Sequence, residues 1–144
     1  MNRIYLATAL LCSALAPLLS SCDKKSGADP KPALEGRWRA DSLHYVSYSA
    51  SHTAITSGRL LTNPGTTLTI DATTFTDNGS LQGTTTAPYS YTRNGNLLML
   101  TYPQSSVQRQ LTINDLTDKR LQLGYIQPTS SGGEHIEFEI FYSR

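Results

Sequence analysis

Three histidines, two neighbouring glutamates, an arginine on an apolar strand face and two cysteines are the residues here whose types could do chemistry. His44, His52 and His135 have none of the spacings that gather imidazoles on one metal, so no metal site is expected. Ser51-His52 and Glu134-His135 set a hydroxyl or a carboxylate beside an imidazole. Nucleophilic catalysis also needs a device that holds base against nucleophile, and the chain has no G-x-S-x-G elbow. Glu137 and Glu139 stand two apart and share one strand face. Paired carboxylates can cleave a glycosidic bond, but on an outward face they are a solvated surface. No glycine-rich phosphate loop is present. The expectation is a protein that is not an enzyme, with no catalytic residue and no cofactor.

Arg109 is the odd residue. Val107, Leu111 and Ile113 share its face, which alternation points inward. A buried guanidinium needs a partner. Either its stem packs while the charge reaches water at a rim, or it orients a ligand inside a cup. Tyr89, Tyr91, Tyr102 and Tyr125 fall on faces read as inward, where they fill the interior or line the same site. These five are the candidate ligand-binding residues.

The elements that must position them begin after a leader. Arg3 precedes an apolar run over 4–19 that is broken by Thr8, Ser13 and Pro17. That run is too short for a membrane span of about 20 residues. A basic start, a short apolar middle and small residues at the end make a secretory signal over 1–21. Leu19-Ser20-Ser21-Cys22 resembles a bacterial lipobox. The resemblance implies that the Cys22 thiol receives a diacylglycerol and that the peptide before it is removed. Two or three acyl chains anchor a protein durably without a span, at about 0.8 kcal/mol per buried methylene. The placement expected is the bacterial cell envelope, at the outer membrane or cell surface rather than the inner membrane. Asp23 nevertheless resembles an inner-membrane retention signal of some Gram-negative bacteria.

Removing the leader leaves equal numbers of basic and acidic side chains. No basic patch points to nucleic acid. Cys22 is then the one cysteine, so the domain must be stable without a disulfide. Residues 22–33 form the lipidated cysteine and a flexible tether, DKKSGADPKPA, too polar to bury a core. Residues 34–144 suffice for one domain.

That domain is rich in Thr, Tyr, Val and Ile in short alternating runs, with no helical period. Strands are predicted at 36–48, 66–70, 73–77, 87–93, 96–102, 107–113, 120–127 and 135–143. In the first, alternation blurs between Leu43/Tyr45 and His44/Val46, as a bulge would cause. Asn94-Gly95 is a hairpin signal and would pair Tyr91 with Leu98 and Tyr89 with Leu100. In the last strand Ile136, Phe138, Ile140 and Tyr142 face in, while His135, Glu137, Glu139 and Phe141 face out. Eight strands let an antiparallel up-and-down meander close on itself and remove both sheet edges. Short turns then collect at one end. The longer connections at 50–65, 78–86, 103–106 and 128–133 collect at the other, as in a cup.

Leu34-Glu35-Gly36-Arg37-Trp38 resembles the G-x-W opening of lipocalins and bacterial lipocalin-like (calycin) domains. The resemblance implies an all-β, eight-stranded barrel in which Trp38 plugs the closed end and a terminal arginine, here Arg144, packs over it. Gly36, Trp38 and Arg144 are thus the closure residues, and 50–65 corresponds to the family's lid loop. The T-D-Y signature, the C-terminal helix and the disulfides of secreted members are absent. The function expected is binding of a small apolar or amphipathic ligand in the cup of a membrane-anchored lipoprotein. The alternative is a filled barrel that contacts an envelope protein partner as an inhibitor or assembly module.

Overall fold

Alternating apolar residues fold the domain into antiparallel strands in the computed structural model, which describes residues 32–81, 88–103, 105–129 and 132–144. Cys22, the leader and the tether up to residue 31 lie outside the described residues. The strands are β1 (Gly36–Tyr48), β2 (Ala54–Leu61), β3 (Thr67–Ile70), β4 (Thr74–Asn78), β5 (Tyr89–Asn94), β6 (Leu97–Thr101), β7 (Gln108–Leu116), β8 (Arg120–Pro128) and β9 (His135–Ser143). Each of β3 to β8 pairs with its successor, and β1 pairs with both β3 and β9. That ring is a closed, eight-stranded, up-and-down antiparallel barrel. β2 is additional to it, laddered to the distal half of β1 from Ser42↔Leu61 to Tyr48↔Ala54.

β2 corrects the expectation of a lid loop over 50–65. The segment is a strand, yet Ile55, Leu60 and Leu61 are 64%, 50% and 81% exposed. It buries neither face, so no apolar alternation marks it. Gly58 permits the pairing in a specific way. A Cβ there would lie 2.6 Å from the Tyr45 hydroxyl, so the Tyr45 ring lies flat across the glycine.

Two bulges set which residues face inward. In β1 the register shifts between Ala40 and Ser42, so Trp38 and Ala40 point in before it and Leu43 and Tyr45 after it. This is the physical source of the blurred alternation. In β7 the register shifts between Ile113 and Asp115, which carries the strand to Leu116, past the end predicted at 113. Both bulges fall on one cross-strand row, Ser42↔Phe141↔Gln122↔Asp115. Extra residues bend and twist a strand, so the wall changes direction along this line.

The β5–β6 turn also differs from expectation. Pairing runs Asn94↔Leu97, Arg93↔Leu98 and Tyr91↔Leu100, which places Gly95-Asn96 at the turn rather than Asn94-Gly95. Gly95 has φ 60° and takes the first central position, where a type II′ turn wants glycine. The slip is two residues, so every side chain keeps its face.

The interior is solid on both sides of the bulge row. Leu34, Trp38 and Phe75 are 0% exposed toward the closed end, and Leu111, Leu123 and Ile140, distal to the row, are 0% exposed as well. The segment after β4 turns inward and adds to this packing. Asp77 accepts from Ser80 N (3.1 Å), Leu81 N (3.0 Å) and the Ser80 hydroxyl. These bonds hold Leu81, 1% exposed, inside the barrel. The Tyr142 hydroxyl meets Ser80 Oγ at 2.8 Å. Burial, then the Asp77 charge, drives the Tyr142 phenol far above its ordinary value.

Candidate functional site

β7 begins at Gln108 and β8 runs on to Pro128, yet their described ladder starts only at Thr112↔Gly124. Distal to that pair the strands diverge around a concavity of about 860 Å³ at the open end. Asn114, the residue skipped by the β7 register, reaches over Gly124 and donates to Glu139 Oε1 at 2.9 Å. A Cβ at position 124 would lie 3.0 Å from the Asn114 amide nitrogen, so glycine leaves room for this bridge.

One wall is a stacked column. The Arg109 guanidinium lies 5.2 Å from the Tyr125 ring centroid. Tyr125 stacks on Phe138 at 4.8 Å with an interplanar angle of 15°. Both rings are enclosed, Tyr125 at 4% and Phe138 at 5% exposure. The apolar surface that stays open in the lining is Val107 and Ile126, 60% and 61% exposed. The polar lining comes from both faces of the strands and includes Gln110, Gln127, Glu137 and Glu139. Gln127 Oε1 and His44 Nε2 are buried there without a hydrogen-bond partner among the described residues.

Of the five candidate ligand residues, Arg109, Tyr102 and Tyr125 line this concavity, and Tyr89 and Tyr91 do not. Tyr89 pairs with Phe75, is 1% exposed and meets Tyr102 edge-on at 5.0 Å, so it belongs to the packing beneath. Tyr91 sits lower still. Its hydroxyl donates to Asp71 O at 2.9 Å in the turn at the closed end, and burial, then Glu35, raises its pKa. Barrel strands are tilted and staggered, so residues on one inner face end at different heights, which alternation alone does not encode. His44, Gln127, Glu137 and Glu139 were not among the candidates. Three of them have outward parity, and only the divergence of β7 and β8 brings that face into the lining.

The closure residues meet at the other end. Trp38 is 0% exposed and its indole donates to Leu34 O at 2.9 Å. Arg144 lies 4.0 Å over the Trp38 ring. It donates to Asp118 O (2.7 Å), Glu35 O (2.9 Å) and Ala33 O (3.1 Å). Gly36 has φ 135°, and a Cβ there would stand 2.8 Å from the Arg144 guanidinium. The glycine is required twice, by its backbone and by its neighbour.

Two histidines that looked scattered are adjacent. His135 stacks on Tyr48 at 4.9 Å, and the His52 ring is 5.5 Å away. Among the described residues no three His, Cys, Asp or Glu side chains converge as metal ligands. No described helix is long and apolar enough to cross a membrane.

No protein-family model and no curated protein sequence matches the chain. Among solved structures, it is similar to the crystal structure of a lipocalin-like protein from Bacteroides uniformis ATCC 8492. The identity is 13%, the match covers 77% of this chain and 97% of that one, and the TM-score is 0.45.

Proposed function

We propose that this chain is a lipid-anchored protein of the bacterial cell envelope whose barrel binds a small amphipathic ligand, without catalysis, where β7 and β8 diverge. The observation that carries the binding reading is the concavity. Its volume of about 860 Å³ lies within the range of roughly 300–1,000 Å³ typical of ligand sites. Its walls carry both open apolar side chains and polar groups. The interior below it is filled by fully buried side chains among the described residues, which favours the amphipathic form of the expectation. The anchor rests on Leu19-Ser20-Ser21-Cys22. Arg144 bonds the chain at Ala33 and Glu35 to the closed end. A tether entering there turns the open end away from the membrane.

Native mass spectrometry of the full-length protein, released from its own membranes, tests the binding reading. A co-purifying small molecule lost on Ile126→Asp supports it; an empty protein that binds nothing from a whole-cell extract rejects it. Cys22→Ser tests the anchor separately and should give an unprocessed precursor that no longer fractionates with membranes. Unchanged migration and fractionation would reject lipidation. The second reading, a protein-interaction module, draws on the exposed Ile55, Leu60 and Leu61 of β2. A discrete photocrosslinked adduct from position 61 in cells would favour it.

A further inference from the structure

We infer that the ligand of this concavity is a donor-rich, polyhydroxylated molecule, an oligosaccharide that is neutral or carries amino groups, rather than a fatty or aromatic acid. The inference rests on the reading of the concavity as a binding site and names the chemistry the site would select.

Glu137 and Glu139 contribute carboxylates to the lining, Glu139 accepting from Asn114 and Glu137 standing 3.6 Å from His135. Gln127 Oε1 and His44 Nε2 are buried there with no donor among the described residues. An ionised carboxylate can only accept, and an imidazole nitrogen accepts when the other nitrogen carries the proton. Buried polar atoms are satisfied as a rule, so a ligand that fits must bring O–H or N–H groups to them. A hydroxyl-rich molecule does so at several positions at once. A fatty acid brings none when ionised.

Charge points the same way. The lining holds one guanidinium and two carboxylates. Arg109 is already engaged in stacking on Tyr125. An anion enters a lining whose carboxylates outnumber its guanidinium, and like charges repel. An amino group there would be attracted.

The apolar part of the site fits as well. Tyr125 and Phe138 are too enclosed to receive an aliphatic tail, while Val107 and Ile126 present separate open apolar surfaces. Small exposed patches suit the C–H faces of sugar rings, which need flat contact but no deep pocket. The site is open along the divergent strands rather than closed around one molecule. That shape admits a chain of several sugar units.

The test uses the full-length protein in detergent on a glycan array with neutral, aminated and uronic-acid chains, together with titrations of oleate and 1-anilinonaphthalene-8-sulfonate. The expected result is binding to a neutral or aminated glycan, with uronic-acid chains bound at least tenfold more weakly. Glu139→Gln should weaken an aminated glycan about tenfold while leaving the melting temperature within a few degrees of wild type. Gln127→Glu, which keeps size and adds an acceptor, should retain binding, whereas Gln127→Leu should lose it. If oleate or the sulfonate binds and no neutral or aminated glycan does, this inference is overturned while the binding site itself stands. If neither glycans nor amphiphiles bind, both fall.

Discussion

At the closed end of the barrel Leu34, Trp38, Phe75 and Leu98 are completely buried, while at the open end Ile55, Val107 and Ile126 are more than half exposed. The two regions share the strands β1, β7, β8 and β9. Composition along those strands does not account for the contrast, since β1 and β8 carry apolar residues throughout. What differs is registry. Up to the pair Thr112↔Gly124, just distal to the bulge row, the described ladders close around a packed interior. Beyond that pair β7 and β8 part. The comparison teaches that stability and binding are separable along the same strands. Substitutions on the closed side of Thr112↔Gly124 should change the melt, and those beyond it should change recognition.

The largest effect expected is at the closed end. Trp38→Ala removes a fully buried aromatic and its bond to Leu34 O, and should cost about 3–5 kcal/mol. Chemical denaturation measures it. A loss under about 1 kcal/mol would mean that the lower half is not the stabilising core.

Arg144→Ala should cost less, about 1–3 kcal/mol. It removes a cation–π contact and three bonds to carbonyls, but at an exposed rim where solvent screens the charge. Because Arg144 and Trp38 touch, the double variant should fall short of the sum. Additive losses in the cycle would show that the 4.0 Å contact carries no coupling.

The legible part of the fold was the part whose alternation faces a packed interior. Ile136, Phe138, Ile140 and Tyr142 declared their inward face, and Gly36-x-Trp38 with Arg144 pointed to the closed end. β2 was not legible because a strand that buries almost none of its side chains has no reason to alternate. The bulge in β1 left a trace, a blurred pattern, but its position at Asp41 did not follow from it. Half of the candidate site was visible, since Arg109, Tyr102 and Tyr125 have inward parity near the open end. Tyr89 and Tyr91 were misplaced in height because stagger is a property of the closed ring. Glu137 and Glu139 were read as outer surface, the blurred pattern of β1 left the face of His44 open, and the parity of all three is outer. Their entry into the concavity depends on where the β7–β8 ladder stops, which is a property of two strands together.

Tyr142 tests the lower half by pH. Its pKa is raised in the folded protein by burial and then by Asp77. The unfolded chain releases that proton near its ordinary value of about 10, while the folded protein holds it. Stability should therefore be unaffected by this group below about pH 10 and fall above it, by up to about 1.4 kcal/mol per pH unit. Tyr142→Phe cannot ionise, so its alkaline limb should be flatter. At neutral pH it should cost about 0.5–1.5 kcal/mol for the bond to Ser80. An alkaline limb as steep as in the wild type would assign the loss to other tyrosines.

The smallest expected effect on stability is the most direct probe of the contrast. Arg109 stands above the bulge row, paired with Leu100 and stacked over Tyr125. Replacing it with Leu removes a cation–π contact worth about 0.5–1 kcal/mol at a partly open site. It also removes the desolvation cost of an inward-facing charge, which offsets that loss. The two terms oppose each other, so the net change in stability should lie within about 0.5 kcal/mol of zero. Recognition should respond differently. Losing the cation lays bare one face of Tyr125 and leaves Glu137 and Glu139 as the charged groups of the lining, so an aminated ligand should be retained or strengthened. The measurement is a paired one, a thermal melt and a binding isotherm on Arg109→Leu beside the same pair on Trp38→Ala. If Arg109→Leu lowers the melting temperature as far as Trp38→Ala does while affinity is unaltered, the guanidinium is a structural strut, and the boundary between the stabilising and recognising halves lies beyond Thr112↔Gly124.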